Sequence, residues 1–192
     1  MTDTLGEHRL LIDGELVSSI RVHHLTPAQR TSPSMKTFPD VLTPLLDRGQ
    51  SFIDPTRFTA DSEASLAYPS LPLLTLRIAV MATEYFDTSA CLALVRREHA
   101  AFYRRVFGAI ELSEARPYQG LAFPVVLYSS VASRTRDYIY QRFPFFRSTE
   151  TEREHLFSQT DLRGFEYPVP SSSREAIATS ALEDSSPTIA AE

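Results

Sequence analysis

The chain has one cysteine, Cys91, and no tryptophan among its 192 residues. A single cysteine excludes a disulfide within the chain and gives no support for a secreted, disulfide-rich scaffold. Cys91 lies in the apolar run 90–95, so we interpret it as a small buried hydrophobic residue rather than as a nucleophile. No apolar run reaches the roughly 18 residues that a membrane span needs, and no apolar segment follows Met1. We therefore expect a cytoplasmic protein without a membrane span.

Acidic residues outnumber basic residues over the whole chain, and the net charge is −5. This negative net charge argues against nucleic acid as a partner. The charge is unevenly distributed, because residues 96–147 hold nine arginines and four acidic residues, whereas residues 148–192 hold three basic and nine acidic residues. A basic segment within an acidic chain is a candidate interaction surface, although such runs are most often solvated faces.

The histidines do not form a recognisable metal-binding pattern. His23 and His24 are adjacent, and adjacent residues of a strand point to opposite faces of a sheet. The chain has no cysteine pair and no third ligand at a suitable spacing. We therefore predict no metal site.

Hydrophobic periodicity and turn residues predict a mixed α/β domain. Asp13-Gly14 separates two strand-like segments and is typical of a type I′ turn, which predicts a hairpin over residues 9–22. Pro55 predicts a bulge or kink in a strand. The other predicted elements are a short broken helix over 38–46, a polar loop over 61–70, a helix over 72–86, a buried strand over 90–95, a helix over 98–107 ended by Gly108, strands over 109–117 and 121–128, and a helix over 133–143.

The C-terminal segment differs in composition from the rest of the chain. After about residue 165 it is rich in Ser, Pro and Glu, and it has almost no bulky apolar residue after Val169. Such a segment cannot bury enough surface to offset its ordering entropy. We place one domain at residues 1–147 and an acidic, largely disordered tail at residues 148–192.

Two segments resemble motifs of a known enzyme family. The first is Glu98-His-Ala-Ala-Phe-Tyr-Arg-Arg-Val-Phe-Gly108, followed by Arg116-Pro-Tyr and by Phe123-Pro-Val-Val-Leu127. It resembles a run found in the N-acyl amino acid synthases related to FeeM, which belong to the GNAT acyltransferase superfamily. The second is Asp13–Arg21 followed by Asp54-Pro-Thr-Arg-Phe58. It is similar to the hairpin and the Arg-Phe strand that these enzymes share with the acyl-homoserine-lactone synthases.

The resemblance implies a GNAT-like α/β fold, with a mixed, mostly antiparallel sheet flanked by helices. It also implies a V-shaped opening between the Asp54–Phe58 strand and the Ala90–Val95 strand, which would hold the thioester arm of the donor. The family has a strand and one or two helices before the hairpin, whereas here the hairpin begins close to Met1. We therefore expect the chain to lack those first elements.

The implied reaction moves a fatty acyl group from a thioester to the amine of an amino acid. It needs no permanently bound cofactor, because the donor is acyl-phosphopantetheine on an acyl carrier protein, or acyl-CoA. Residues 59–70 contain no glycine, whereas a typical GNAT enzyme holds the coenzyme A pyrophosphate on a Gly-rich loop there. We therefore favour the carrier protein as donor. The alternatives are an autoinducer synthase of the acyl-homoserine-lactone type and a non-catalytic acyl-binding or partner-binding remnant.

The resemblance suggests three catalytic residues. Asp54 would orient or deprotonate the amine, and Tyr103 would protonate the leaving thiolate. His99 would lie on the same helical face as Tyr103. The structural alternatives are an ion pair with Arg57 or a local turn contact for Asp54, and packing for Tyr103 and His99.

Arginines supply the remaining candidates. Arg21, Arg57 and Arg116 match family positions and would bind a carboxylate or phosphopantetheine, because Arg makes bidentate pairs. Shaping the turn together with Tyr118 is the favoured alternative for Arg116. Arginines of the 98–107 helix and its start lie off the apolar face, and we predict that they dock an acidic carrier protein: Arg97, Arg104 and Arg105.

Overall fold

The computed structural model describes residues 4–158 and 165–168. Within them one sheet has seven strands, in the spatial order β5-β6-β4-β3-β2-β1-β7. Only the β3–β4 and β1–β7 pairs are parallel, so the sheet is mixed and mostly antiparallel, as predicted. The strands are β1 (Thr4–Ile12), β2 (Glu15–Leu25), β3 (Phe52–Ala60), β4 (Ala90–Val95), β5 (Ile110–Glu111), β6 (Val126–Val131) and β7 (Phe165–Pro168).

Seven α-helices flank this sheet in the described residues: α1 (Pro33–Thr37), α2 (Pro39–Asp47), α3 (Ser62–Ala67), α4 (Leu71–Tyr85), α5 (Ala100–Phe107), α6 (Ala132–Arg142) and α7 (Glu150–Phe157). Short 3₁₀ turns at Arg97–His99 and Pro144–Phe146 precede α5 and α7. The predicted broken helix over 38–46 is the single helix α2, which contains Pro44, whereas α1 precedes it and was not predicted. No helix of this described part is long and apolar enough to cross a membrane.

The β1–β2 hairpin confirms the turn prediction. Asp13 and Gly14 have φ values of 55° and 85°, and positive φ at both central residues is the requirement of a type I′ turn. Similarly, α5 ends as predicted at Gly108, whose φ of 56° is left-handed and suits a residue without a Cβ.

The predicted irregularity of β3 occurs two residues after Pro55. Pro55 pairs regularly with Val22, and the register shift lies between Thr56 and Thr59, where Arg57 has a φ of 49°. Since β4 pairs with β3 only up to Ile53, the missing N–H of Pro55 removes no ladder bond on that side. The bulge is therefore centred on Arg57.

Two local predictions were wrong. The supposed loop over 61–70 contains α3, which begins where the Asp61 carboxylate accepts the Ala64 N–H at 2.8 Å and so satisfies a free helix donor. The supposed strands over 109–117 and 121–128 reduce to β5, β6 and one bridge from Arg116 to Val125. Prolines at 117 and 124 in this segment lack the N–H that a longer ladder would need.

The helices cover the two faces of the sheet separately. Phe52 packs with Phe38 and Leu42 of the α1–α2 region, whereas its neighbour Ile53 packs with Leu76 of α4. Adjacent residues of a strand point to opposite faces. Consequently, α1 and α2 cover one face, and α4, α5 and α6 cover the other.

Ordered packing continues beyond the domain boundary that we placed at residue 147. Leu156 of α7 is buried, and Arg77 of α4 donates to the Phe145 and Arg147 carbonyls at 2.8 and 2.7 Å and to Glu152 at 3.0 Å. The start of the predicted tail therefore belongs to the folded unit. The disorder predicted from about residue 165 is contradicted for Phe165–Pro168, which pair with β1 as β7. The remainder of that segment lies outside the described residues.

Candidate functional site

The two parallel strands β3 and β4 part after only two residue pairs. Phe52 pairs with Ala90 and Ile53 with Cys91, yet β3 continues to Ala60 and β4 to Val95. The V-shaped opening predicted between these strands is thus present. Such an opening leaves backbone groups of both strands available to a third, extended partner.

A cavity adjoins this opening on the face covered by α4, α5 and α6. Its empty space is about 620 Å³, including the part open to solvent. Pro55 of β3 and Ala93 of β4 line it from the sheet, and mostly apolar side chains line it from the helices, among them Leu76, Val80, Phe107 and Ile139. The mostly apolar lining suits an apolar ligand.

Tyr103 of α5 lies in the wall of this cavity. Its hydroxyl makes no hydrogen bond to any residue that the structure describes, so it is free to meet a ligand. Burial, with a smaller contribution from Cys91, raises the pKa of Tyr103 to about 12. The hydroxyl is therefore protonated at neutral pH and acts as a donor.

Cys91 of β4 also lines the cavity. Burial raises the pKa of its thiol to about 12, and a nucleophilic cysteine needs its thiolate. This agrees with Cys91 as a small packed residue.

His99 lies apart from the cavity wall. It ends the 3₁₀ turn before α5 and is the N-cap residue of that helix, with backbone angles in the helical region. It is not among the residues that line the cavity. Its place on the helical face of Tyr103 stays a prediction.

Asp54 is completely buried and bound to α1. Its carboxylate accepts the Ser34 N–H at 3.1 Å and the Ser34 hydroxyl at 2.7 Å. Burial raises the pKa of Asp54, while hydrogen bonds from Ser32 and Ser34 and the charge of His23 act in the opposite direction. No ion pair joins Asp54 to Arg57 in the described chain, so the structural alternative that paired these two residues is not formed.

Arg57 instead projects from the bulge and is exposed. Burial raises the pKa of Tyr118, the Asp54 charge raises it further, and the Arg57 charge lowers it. Tyr118 packs against the apolar cluster of α1 and α2, and the charges of both Asp54 and Arg57 act on it. The sequence had suggested Tyr118 only as a turn residue.

Arg21 and Arg116 have protein partners. Arg21 forms an ion pair with Glu7 at 3.0 Å. Arg116 binds both carboxylate oxygens of Asp40, at 2.6 and 2.7 Å, and lowers the pKa of Asp40 to about 2. Neither arginine lines the cavity, and Arg116 ties the loop before β6 to α2.

The three arginines predicted to dock a carrier protein lie at α5. Arg97 is 3.7 Å from Glu111, and its side chain is 62% exposed. Arg104 and Arg105 are exposed and form no ion pair with a described residue. Their surface is thus available to an external acidic group.

Glu84 of α4 is a polar residue of the cavity wall that sequence reasoning did not single out. Arg136 and Tyr140 of α6 line the same cavity. The three side chains meet because α4 and α6 dock against each other, and no local sequence pattern predicts that docking. Within the described residues no three His, Cys, Asp or Glu side chains group as a metal site would require.

Comparisons with known proteins add a family assignment to this geometry. Residues 7–130 match the family model of the N-acyl amino acid synthase FeeM. The structure of FeeM, an N-acyl amino acid synthase from uncultured soil microbes, matches with a TM-score of 0.55 and 13% identity, over 64% of this chain and 65% of that one. The acyl-homoserine-lactone synthase LasI matches with a TM-score of 0.50 and 17% identity, over 67% of this chain and 66% of that one.

The two structural matches concern the fold, and each spans slightly less than two thirds of the known protein's length. A search of curated proteins found no match. The family model covers well over half of the chain, including the hairpin, the parted strands and α5. The chain therefore belongs to the FeeM family of N-acyl amino acid synthases.

Proposed function

We propose that this protein is an acyltransferase that moves a fatty acyl group from a thioester to the amine of an amino acid. The observation that carries the proposal is the opening between β3 and β4, which leads to an apolar cavity with the free Tyr103 hydroxyl in its wall. A thioester arm lies in the opening in this proposal, and its acyl chain lies in the cavity.

The chemistry is an acyl transfer without a covalent enzyme intermediate. The neutral amine attacks the thioester carbonyl carbon, a C–N bond forms, and the C–S bond breaks. The amine loses a proton to solvent and the thiolate gains one. Because Tyr103 stays protonated at neutral pH, its hydroxyl donates a hydrogen bond to the developing charge.

The acceptor's carboxylate binds on the other side of the opening in this proposal. Arg57 is exposed there and has no ion-pair partner among the described residues, and Arg binds carboxylates in a bidentate manner. Asp54 is a positioning residue, because Ser34 already occupies both of its oxygens. Arg21, Arg116 and His99 take no chemical step.

The donor is an acyl carrier protein in this proposal, and the reaction takes place in the cytoplasm. Arg104 and Arg105 provide exposed positive charge on α5, which also carries Tyr103. Residues 62–67 form α3 and include no glycine, whereas coenzyme A would need backbone donors for its pyrophosphate. Acyl-CoA is the second candidate donor.

The reaction can be tested with the purified chain, acylated carrier protein, acyl-CoA and a mixture of amino acids. We expect mass spectrometry to detect N-acyl amino acids, formed faster from the carrier protein. An acyl-homoserine lactone would instead support the autoinducer-type alternative. Acyl binding without any product would support the non-catalytic alternative and contradict the proposed activity.

Carrier-protein docking needs a separate test. We expect Arg104→Glu with Arg105→Glu to weaken binding, and we expect high salt to weaken binding to the parent. Arg9→Glu with Arg48→Glu is a charge-matched control on other exposed surfaces. If neither high salt nor the charge reversal at Arg104 and Arg105 changes the binding of the carrier protein, acyl-CoA would be the better donor.

A further inference from the structure

Glu84 joins three helices at the edge of the cavity. Its carboxylate accepts a hydrogen bond from the Tyr140 hydroxyl of α6. It also lies 3.3 Å from Arg136 Nε of α6 and 3.0 Å from Arg153 Nη1 of α7. Two arginines and the hydroxyls of Tyr140 and Ser148 therefore satisfy this largely buried carboxylate.

This cluster forms the helix-side wall of the cavity. Glu84, Arg136 and Tyr140 all line the cavity, across from Pro55 and Ala93 of the parted strands. The Arg136 side chain is 47% exposed, whereas that of Glu84 is 14% exposed. The cluster thus lies at the boundary between the apolar interior of the cavity and solvent, and Arg136 is its more exposed member.

The apolar wall ends at this cluster. Along α4 the cavity lining runs from Leu76 through Val80 to Glu84, which is two helical turns or about 12 Å. An acyl chain that runs along α4 from Leu76 would therefore reach, after this distance, the ion pair of Glu84 with Arg136 that bridges α4 and α6.

We propose that Glu84, Arg136 and Tyr140 form a polar gate that sets the length of the acyl chain. The inference rests on the proposed function, because it assumes that the cavity holds the acyl group. Each methylene that enters the apolar part raises affinity about fourfold. A methylene beyond the gate either displaces charged groups from their partners or enters water, so the gain in affinity stops there.

The test measures binding of acyl-pantetheine probes, from octanoyl to palmitoyl in even steps, to the full chain without an acceptor. For the parent we expect affinity to rise with length and then reach a plateau. Arg136→Leu replaces the outer charge by an apolar side chain and leaves Glu84 with Arg153 and Tyr140. It should move the plateau by at least one step, which is two methylenes, toward longer chains, with an affinity gain of about 16-fold for the first chain beyond the old limit.

Two further variants complete the design. Arg134→Leu is the matched control, because Arg134 is exposed on the same helix and does not line the cavity; its plateau should equal that of the parent. Tyr140→Phe keeps the ring and removes one donor to Glu84, so it should shift the plateau in the same direction by less.

The outcomes separate the gate from the proposed function. The same plateau in the parent, Arg136→Leu and Tyr140→Phe overturns the gate and leaves acyl transfer intact. A parent whose affinity rises through palmitoyl without a plateau also overturns it. If no probe binds the parent at any length, the cavity does not hold the acyl group, and the proposed function fails together with the gate.

Discussion

Ser34 donates two hydrogen bonds to Asp54, from its backbone N–H at 3.1 Å and from its hydroxyl at 2.7 Å. This pair connects the first turn of α1 to β3 at the place where β3 leaves β4. Since Asp54 is completely buried, its carboxylate can exchange these bonds with water only if α1 moves.

The Ser34–Asp54 contact predicts that Asp54→Asn lowers stability. The Asn carbonyl oxygen can still accept the Ser34 N–H, and the Asn NH2 can donate to the Ser34 hydroxyl, but both bonds lose a charged partner, at a cost of about 1 kcal/mol. Urea unfolding measures the change, and Asp137→Asn on an exposed position of α6 is the control. Unchanged stability with a large loss of turnover would show that Asp54 acts in the chemistry.

The free hydroxyl of Tyr103 predicts that Tyr103→Phe impairs catalysis without destabilising the fold. Loss of one proton-donating group typically costs about 10²–10⁴-fold in rate. The ring packing is retained, so the melting temperature should stay close to that of the parent. Tyr138→Phe is the control, because Tyr138 bonds the Arg105 carbonyl and does not line the cavity. A less than threefold rate change would make Tyr103 a packing residue.

The contacts of Arg77 predict that it holds the 143–158 segment on α4. Arg77→Met should lower the free energy of unfolding by about 2–4 kcal/mol, because two carbonyls and Glu152 lose a charged donor. Limited proteolysis should also cut this segment faster. Arg134→Met provides an exposed control. Equal cleavage of the parent and Arg77→Met would show that α7 docks without Arg77.

His8 predicts a loss of stability in mild acid. Its ring is buried against Phe157, and burial lowers the pKa of His8 to about 4. An unfolded His binds a proton below about pH 6.5, whereas the folded side chain stays neutral until about pH 4. The stabilisation of the fold by neutral, buried His8 is therefore fully present above pH 6.5. The free energy of unfolding decreases as the pH falls below that value, and at pH 4 the decrease is about 3 kcal/mol.

Urea unfolding at pH 7 and near pH 4.5 tests this dependence. His8→Leu removes the titrating group and should flatten the pH profile relative to the parent. His99→Leu, at a more exposed position, should leave it unchanged. Parallel profiles for the parent and His8→Leu would assign the acid sensitivity to other groups.

Local sequence alone determined the hairpin, α4, β4 and α5. Asp13-Gly14 has the backbone preferences of a type I′ turn, and Gly108 has those of a helix end. These preferences act over a few residues, so they can be read without the fold. The motifs in residues 98–127 likewise sufficed to indicate the family.

Tertiary structure decided which side chains meet. Asp54 is bound by Ser34, twenty positions away, and not by Arg57 three residues on, because the bulge turns Arg57 outward. Glu84 meets Tyr140 and Arg153, which are 56 and 69 positions distant. Such contacts depend on how the helices dock on the sheet. Neither hydrophobic periodicity nor turn residues in the sequence predict that docking. The roles of the site residues were therefore set by packing at long sequence separation.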